Sequence, residues 1–411
     1  MKLRICLLGI VMTSTGCFAQ LTLQECRQKA HDNYPMIKQY GLIEQSRDFS
    51  IENASKGNLP QVGFTGLATY HTDMIKRSGM TSAFDAKHTL YGGMLEVSQN
   101  VYDGGAIAAK KNITNADAAV SQEQLNVTMY DINNRIDQLF FGALLTDEQI
   151  KQNRLLQNDL SLSLKSVSGM MKNGIANQSD VDAIRVEQLN AAQQEKSLLI
   201  QKRTYLSMLG TFIGMSLDEH TALAKPTDEM PASLEVKRPE LNLYDAQSAL
   251  LNQREKALDV NLRPKLGVFV NGLLGNTGMD MMKKNMMMAG AKISWNIGGL
   301  YTRKNDKKLI DISRQQIESN RETFLFNTRL QSSNETSIIT DLREKLKTDD
   351  EIVLLRTNIR DKAERKVENG TLTVNEMLRQ INAESEAKQA KALHEIQLLK
   401  EIYQLKNIGN Y

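Results

Sequence analysis

Cysteine, proline and aromatic residues are all scarce in this 411-residue chain, and each scarcity excludes something. Of the three cysteines, Cys6 and Cys17 fall in an N-terminal segment that reads as a removable signal, which leaves Cys26. One thiol cannot form an intramolecular disulfide, so stability must come from packing. No stretch approaches 18 consecutive apolar residues, so no helix spans a membrane; a chain of this kind crosses one only as a β-barrel. The charge excess is small, 51 Lys and Arg against 48 Asp and Glu, and two of the three surplus positive charges are Lys2 and Arg4 in the signal. That balance gives no hint of a nucleic-acid surface. The five histidines, His31, His71, His88, His220 and His394, are scattered. There is no HExxH, P-loop or nucleophile elbow. Enzyme activity, a cofactor and a nucleic-acid partner are therefore not expected.

Residues 1–19 carry the marks of secretion. Lys2 and Arg4 are followed by an apolar run from Ile5 to Met12, and Cys17-Phe18-Ala19 fits the small-x-small rule for cleavage before Gln20. A lipoprotein reading would use Ser14-Thr15-Gly16-Cys17 and lipidate Cys17, although Ser14 stands where a branched aliphatic is wanted. Either way the chain leaves the cytoplasm.

The six prolines, Pro35, Pro60, Pro226, Pro231, Pro239 and Pro264, divide the rest into long blocks. From Leu300 to Asn369 there is neither Gly nor Pro, and from Ala106 to Ser168 only Gly142 intervenes. As helices these would reach about 105 Å and roughly 95 Å. Ordinary globular helices are far shorter, so the blocks suggest coiled coils. Leu309, Ile312, Ile317, Phe324, Leu330, Ile338, Leu342, Leu346, Val353 and Ile359 recur at three, four and seven. The other faces are polar, which suits a long wall wet on one side.

Between the helices the period changes to two. Met287, Ala289, Ala291, Ile293, Trp295 and Ile297 alternate with Met288, Gly290, Lys292, Ser294 and Asn296; Tyr91, Gly93, Leu95 and Val97 alternate with Gly92, Met94, Glu96 and Ser98. Each has an upstream partner just after a proline, with Val62, Phe64, Ala68 and Tyr70 after Pro60, and Leu266, Val268 and Val270 after Pro264. Polar loops near 72–87 and 274–285 join each pair. Four strands cannot close a barrel alone. Three chains pooling four each would make about twelve and remove every edge.

The chain also repeats at a period of about 200 residues. Asn58-Leu59-Pro60-Gln61 corresponds to Leu262-Arg263-Pro264-Lys265. Val101-Tyr102-Asp103-Gly104-Gly105 corresponds to Trp295-Asn296-Ile297-Gly298-Gly299. Asn173-Gly174 with Ser179-Asp180-Val181 corresponds to Asn369-Gly370 with Asn375-Glu376-Met377. Repeat 1 would occupy 20–209, with strands near 61–71 and 88–101 and helices near 106–172 and 177–209. Repeat 2 would occupy 239–402, with strands near 265–273 and 286–297 and helices near 300–368 and 372–402. A segment at 210–238 and a tail at 403–411 remain.

This ordered duplication resembles the TolC-like outer-membrane efflux proteins over essentially the whole mature chain. Leu21-Thr22-Leu23 through Asn33-Tyr34-Pro35 echoes the family's opening helix, Arg238-Pro239-Glu240-Leu241 its second half, and Asp103-Gly104-Gly105 its strand-to-helix turn. The resemblance implies a mostly α protein with a β-barrel part. Its homotrimer would form a twelve-stranded barrel in outer-membrane lipid, continued by an α-helical coiled-coil tunnel through the periplasm. The segment at 210–238 and the tail would form a belt around it. The implied function is the exit duct of a tripartite efflux or type I secretion system, gated by a periplasmic adaptor and an inner-membrane RND or ABC-type pump.

Candidate residues follow. Asp180 and Glu376, with Asp182 as a weaker third, would ring the periplasmic aperture, where three copies attract cations; a helix N-terminal acid explains them without a pore. Leu372 and Arg379 depart from the family's pattern there. Asn173, Gly174, Asn369 and Gly370 mark hairpin tips where an adaptor would dock. Pro60, Gly104, Gly105, Pro264, Gly298 and Gly299 mark strand-helix turns. Tyr70, Tyr91, Tyr102, Trp295 and Tyr301 suit an aromatic girdle. Met279, Met281, Met282, Met286, Met287 and Met288 invite a soft-metal reading, but flexible apolar filling explains them, and no metal is expected. The rival architecture is a soluble or lipid-anchored periplasmic coiled-coil adaptor, which has no need of a duplicated hairpin pair.

Overall fold

The computed structural model describes residues 20–70, 89–276 and 285–411. The expected signal segment, most of both polar loops, His71, His88, Met279, Met281 and Met282 lie outside the described residues. The elements run α1 (Leu23–Asn33), α2 (Lys38–Ser55), β1 (Gln61–Tyr70), β2 (Thr89–Tyr102), α3 (Ala106–Tyr130), α4 (Ile132–Lys172) and α5 (Gln178–Ile213). They continue with α6 (Pro239–Val260), β3 (Lys265–Asn276), β4 (Asn285–Ser294), α7 (Gly299–Glu368) and α8 (Val374–Gly409). No helix among the described residues is long and apolar enough to cross a membrane. The chain divides into two compact units.

One unit holds the chain up to Ile37, Met129–Lys237 and Asn327–Tyr411. Its core is helical. Ile136, Phe140 and Phe141 of α4, Leu206 and Leu209 of α5, and Ile402 and Leu405 of α8 are fully buried. Phe140 and Phe141 meet edge to face, their ring centroids 5.9 Å apart, and Phe141 continues to Tyr403 at 5.7 Å. α1 starts at Thr22, whose hydroxyl accepts the Glu25 N–H while the Glu25 carboxylate accepts the Thr22 N–H, a reciprocal capping box. Leu21 pairs with Leu223 as an isolated parallel bridge.

The other unit holds Lys38–Thr128 and Arg238–Phe326. Its sheet has the order β1-β2-β3-β4, antiparallel throughout, so β1 and β4 are the edges. α6 lies along the start of α7 through polar ties: Arg303 to Asp259 at 2.7 Å and Arg314 to Glu255 at 2.5 Å. Tyr244 and Phe324 close the same seam.

Several element boundaries differ from the sequence reading for identifiable reasons. The helix expected over 106–172 is interrupted at Asp131, not at Gly142. Asp131 keeps helical dihedrals, φ −64° and ψ −18°, so the interruption is slight. Gly142 sits inside α4 because a Cβ there would come within 2.9 Å of the Tyr205 ring; its smallness serves helix contact. α5 runs on to Ile213 and stops at Gly214, which takes φ 68°. β4 ends at Ser294, three residues short of Ile297, because its last partner is Lys265 and the preceding Pro264 has no N–H to continue the ladder. The tail expected at 403–411 is helical to Gly409, since Ile402 and Leu405 extend the buried stripe of α8. The segment 214–238 meets that helix end: Lys237 N–H donates to Gly409 O at 2.7 Å, and Asn410 Nδ2 to Lys237 O at 3.0 Å.

Candidate functional sites on the sheet and at the helix tips

The register sorts the strand residues into two faces. Val62, Phe64, Gly66, Ala68 and Tyr70 of β1 stand beside Tyr91, Gly93, Leu95 and Val97 of β2. Those continue into Val268, Val270, Gly272 and Leu274 of β3, and then into Met287, Ala289, Ala291 and Ile293 of β4. Apart from Gln99 opposite Val268 and polar residues at the loop-side strand ends, this face is apolar, and it is exposed, with Phe64 at 73%, Met287 at 78% and Ile293 at 75% of full accessibility. The opposite face carries Gln61, Thr65, Glu96, Ser98, Asn100, Asn271, Lys292 and Ser294, mixed with Leu67, Met94, Phe269, Leu273, Met286 and Met288. A soluble sheet hides its apolar face; here that face is left exposed. Phe64 lies over Gly93 and Phe269 over Gly290, so each aromatic ring fills the space a cross-strand glycine leaves.

Between Asn100 and Tyr102 the β2–β3 register shifts by one, leaving Val101 as a bulge. A one-residue slip reverses side-chain direction. Tyr102 thereby pairs with Leu266 on the apolar face, where Tyr70 and Tyr91 also lie. Tyr91 is opposite Asn276 and Tyr102 opposite Leu266, so the two rows are about 33 Å apart along β3. Trp295 and Tyr301 lie just past β4, at the Tyr102 end, and both are exposed. The Trp295 indole Nε1–H donates to Leu262 O at 2.8 Å, pinning the entry to β3. Met286, Met287 and Met288 are consecutive strand residues and so alternate in direction. No group of three or more His, Cys, Asp or Glu among the described residues could hold a metal ion.

The strand-to-helix turns are built by a carboxylate in one repeat and an amide in the other. Asp103 accepts Gly105 N–H at 2.8 Å and Ile107 N–H at 2.6 Å, capping α3. Burial pushes its carboxyl up, but the backbone donors of Ile107 and Gly105 outweigh this and hold it below the ordinary value. Gly104 and Gly105 take φ 73° and 92°, and a Cβ on Gly104 would lie 3.1 Å from Arg263 Cβ. In the second copy Asn296 Oδ1 accepts Gly298 N–H at 3.1 Å. Asn296 therefore stands where Asp103 does, and the repeat aligns Asp103-Gly104-Gly105 with Asn296-Ile297-Gly298, one residue off the alignment read from the Gly-Gly pairs. Neither Gly298 nor Gly299 has positive φ. Gly299 is instead a close approach, where a Cβ would meet Leu262 Cδ2 at 3.0 Å. Pro60 and Pro264 directly precede β1 and β3.

The two helix hairpins end in the same motif. After α4, Gly174 N–H donates to Met171 O at 3.1 Å and Ile175 N–H to Met170 O at 2.9 Å, with Gly174 at φ 77°. After α7, Gly370 N–H donates to Val367 O at 2.9 Å and Thr371 N–H to Lys366 O at 2.8 Å, with Gly370 at φ 68°. Both are Schellman closures, with Asn173 and Asn369 just before the glycine. Each is followed by a capped helix. Asn177 and Asp180 form a reciprocal box on α5, and Thr373 Oγ1 accepts Glu376 N–H at 3.3 Å on α8.

The candidate acids are thus engaged by neighbours on their own helices. Asp182 accepts from Gln178 at 2.9 Å. Glu376 accepts from Gln380 at 2.9 Å and pairs with Arg379 at 3.1 Å. The tips share one apolar cluster that takes in Leu160, Val167, Val181 and Ile184 along with Val367, Val374, Met377 and Ile381. Leu378 is buried there and Leu372 packs against it, while Asp182 is exposed. An ionic layer lies beside the cluster. Glu384, only 2% exposed, accepts from Thr357 at 2.7 Å and Arg360 at 2.9 Å, and pairs with Lys388 at 2.8 Å. The sequence held no local signal for this layer, because its members are 24 and 27 residues apart across two helices.

No family profile matches the sequence and no curated protein matches it. Solved structures do. The channel protein CusC superposes with a TM-score of 0.70 at 13% identity, over 94% of this chain and 92% of that one. The outer membrane protein VceC of Vibrio cholerae gives 0.66 at 10% identity, over 94% and 96%. The outer-membrane channel MtrE of Neisseria gonorrhoeae gives 0.66 at 11% identity, over 94% and 88%. At this level of identity the likeness is one of fold: a mostly helical chain with a four-stranded antiparallel sheet, in the arrangement those channel subunits have.

Proposed function

We propose that this chain is one protomer of a homotrimeric outer-membrane exit duct. The observation that carries the reading is the sheet. A four-stranded sheet with two edge strands and a bare apolar face is incomplete in water, and three copies joined β1 to β4 would close about twelve strands with that face against lipid. The tyrosine rows are about 33 Å apart along a strand, or about 25 Å along the axis of a barrel tilted near 40°, the height of a hydrocarbon band. The exposed apolar residues of α7, Leu309, Ile312, Leu330, Leu354 and Ile359 among them, would be covered by neighbouring protomers in the same assembly.

The sequence carries no P-loop, and in this reading the duct is passive and its gating belongs to partners. The hairpin tips with Gly174 and Gly370 are the docking points for a periplasmic adaptor, and the adaptor links the duct to an RND or ABC-type inner-membrane pump. Asp180 and Glu376 ring the aperture. The deciding experiment is the mass of the unboiled, detergent-extracted protein from outer-membrane fractions, paired with single-channel conductance. A trimer with a pore supports the duct. A monomer or dimer in the soluble periplasm, without conductance, supports the coiled-coil adaptor instead.

A further inference from the structure

Glu335, on α7 in the helical unit, lies outside every site described above and is 6% exposed. Its Oε1 accepts from Gln404 Nε2 at 3.0 Å. Its Oε2 is buried and has no donor. The side chain that faces it is another carboxylate, Glu401 of α8. Glu401 is itself paired with Lys400 at 3.1 Å. The Lys400 charge offsets the repulsion at Glu335 only in part, and the rest of the seam is apolar. Apolar Ile339, Leu342, Leu398, Ile402 and Leu405 fill the same α7–α8 seam, with Met230 from the segment 214–238 against it. One turn from Glu335, Ser332 Oγ and Tyr411 Oη are 2.8 Å apart.

Two facing carboxylates, one of them buried with a bare oxygen, repel each other unless a proton lies between them. We infer that Glu335 is a proton-binding site, and that the shared proton fastens the C-terminal half of α8 to α7 in acid and releases it as the medium turns neutral. Protonated, Glu335 donates its Oε2–H to Glu401 and every polar atom of the seam is matched. Deprotonated, it leaves two negative charges facing each other in an apolar groove.

Burial, and next the Glu401 charge, push the Glu335 carboxyl from 4.5 up to about 7. Its folded value lies above its value in the open chain, so the folded seam holds a proton that the open seam lacks. The added stability is therefore complete below about pH 4.5, declines as pH rises, and is gone above about pH 7.

The test is hydrogen exchange of the α8 amides over residues 396–409 in the full-length, detergent-purified protein. It would run from pH 5 to pH 7.5, with correction for the intrinsic pH dependence of exchange. Wild-type protection should fall between about tenfold and a hundredfold across this range. Glu335→Gln keeps the shape and supplies a permanent donor, so its protection should equal wild type at pH 5 and stay level. Glu401→Gln offers the bare oxygen an amide donor, and should move the fall below pH 5. A wild-type profile that is flat, a Glu335→Gln profile that falls in parallel with wild type, or a Glu401→Gln profile identical to wild type each overturns the inference.

Discussion

Arg27 holds Asp137 through two parallel bonds, Nε to Oδ1 at 2.8 Å and Nη2 to Oδ2 at 2.5 Å, in a buried pocket of the helical unit. Asn407 completes it, donating to Asp137 Oδ2 at 2.5 Å and accepting from Arg27 at 2.9 Å. Helices α1, α4 and α8 are thereby tied at one point. Removing one member of a buried pair leaves a charge stranded. Arg27→Met should cost about 3–5 kcal/mol, and the double variant Arg27→Met with Asp137→Leu should cost less than Arg27→Met alone. Denaturant titration of the three proteins measures both.

That tie also marks a limit on what the chain discloses before it folds. Its members are separated by 110 and 270 residues, and no local pattern links an Arg in a short first helix to an Asn near the C-terminus. The hairpins were legible because strand periodicity and the prolines before β1 and β3 are local signals. The glycines of the two tips were legible for the same reason. The Val101 bulge, the helical course of the tail and the substitution of Asn296 for Asp103 were not. Each depends on which residue lies across a ladder or against a neighbouring helix.

The two faces of the sheet make opposite demands at adjacent positions. Val270→Lys puts a charge on the apolar face, and in the proposed barrel it should cost about 2–4 kcal/mol. Asn271→Lys, one residue on, points to the polar side next to Glu96 and should be tolerated. The amount of heat-modifiable trimer recovered from membranes should fall for the first and hold for the second. Equal loss in both would discard the face assignment.

The strand-helix turns give a second paired contrast. Gly104 has φ 73° and sits against Arg263, so Gly104→Ala should cost about 1–2 kcal/mol and reduce assembly. Gly298 has no such conformation, and its nearest foreign atom is Asn296 Oδ1 at 3.3 Å, the far end of a side chain. Gly298→Ala should assemble as wild type does. The reverse ranking would restore the Gly-Gly alignment of the two repeats.

Asp180 and Glu376 can be tested for pore and cap separately. Asp180→Asn keeps a polar group at the third helical position but loses the carboxylate of the capping box, which should cost about 1 kcal/mol of local stability at the tip. If the carboxylates ring the aperture, neutralising both should also weaken cation block and cation selectivity in bilayers. Unchanged conductance and block would leave them as caps only.

Acid should loosen the ionic layer near the tips. Burial raises the Glu384 carboxyl, but Lys388, Thr357 and Arg360 together outweigh it and hold the group below its ordinary value of 4.5. A depressed folded value means the stabilisation is present above about pH 4.5 and is lost as pH falls further. Wild type should therefore lose stability below pH 4.5 faster than Glu384→Gln, which pays its cost at every pH. Thermal melts from pH 3 to pH 7 separate the two curves.

If three copies close into the proposed barrel, the open edges of β1 and β4 turn maturation into a race. A lone chain offers two rows of backbone donors and acceptors beside an oily face, so until it meets its own kind it is sticky to anything extended. Its fate is then decided by encounter frequency. Dilute, slowly made chains should lose material to chaperones and proteases, and crowded ones should finish. Correct assembly should rise more steeply than in proportion to synthesis rate, and the finished barrel, once edgeless, should no longer depend on concentration at all.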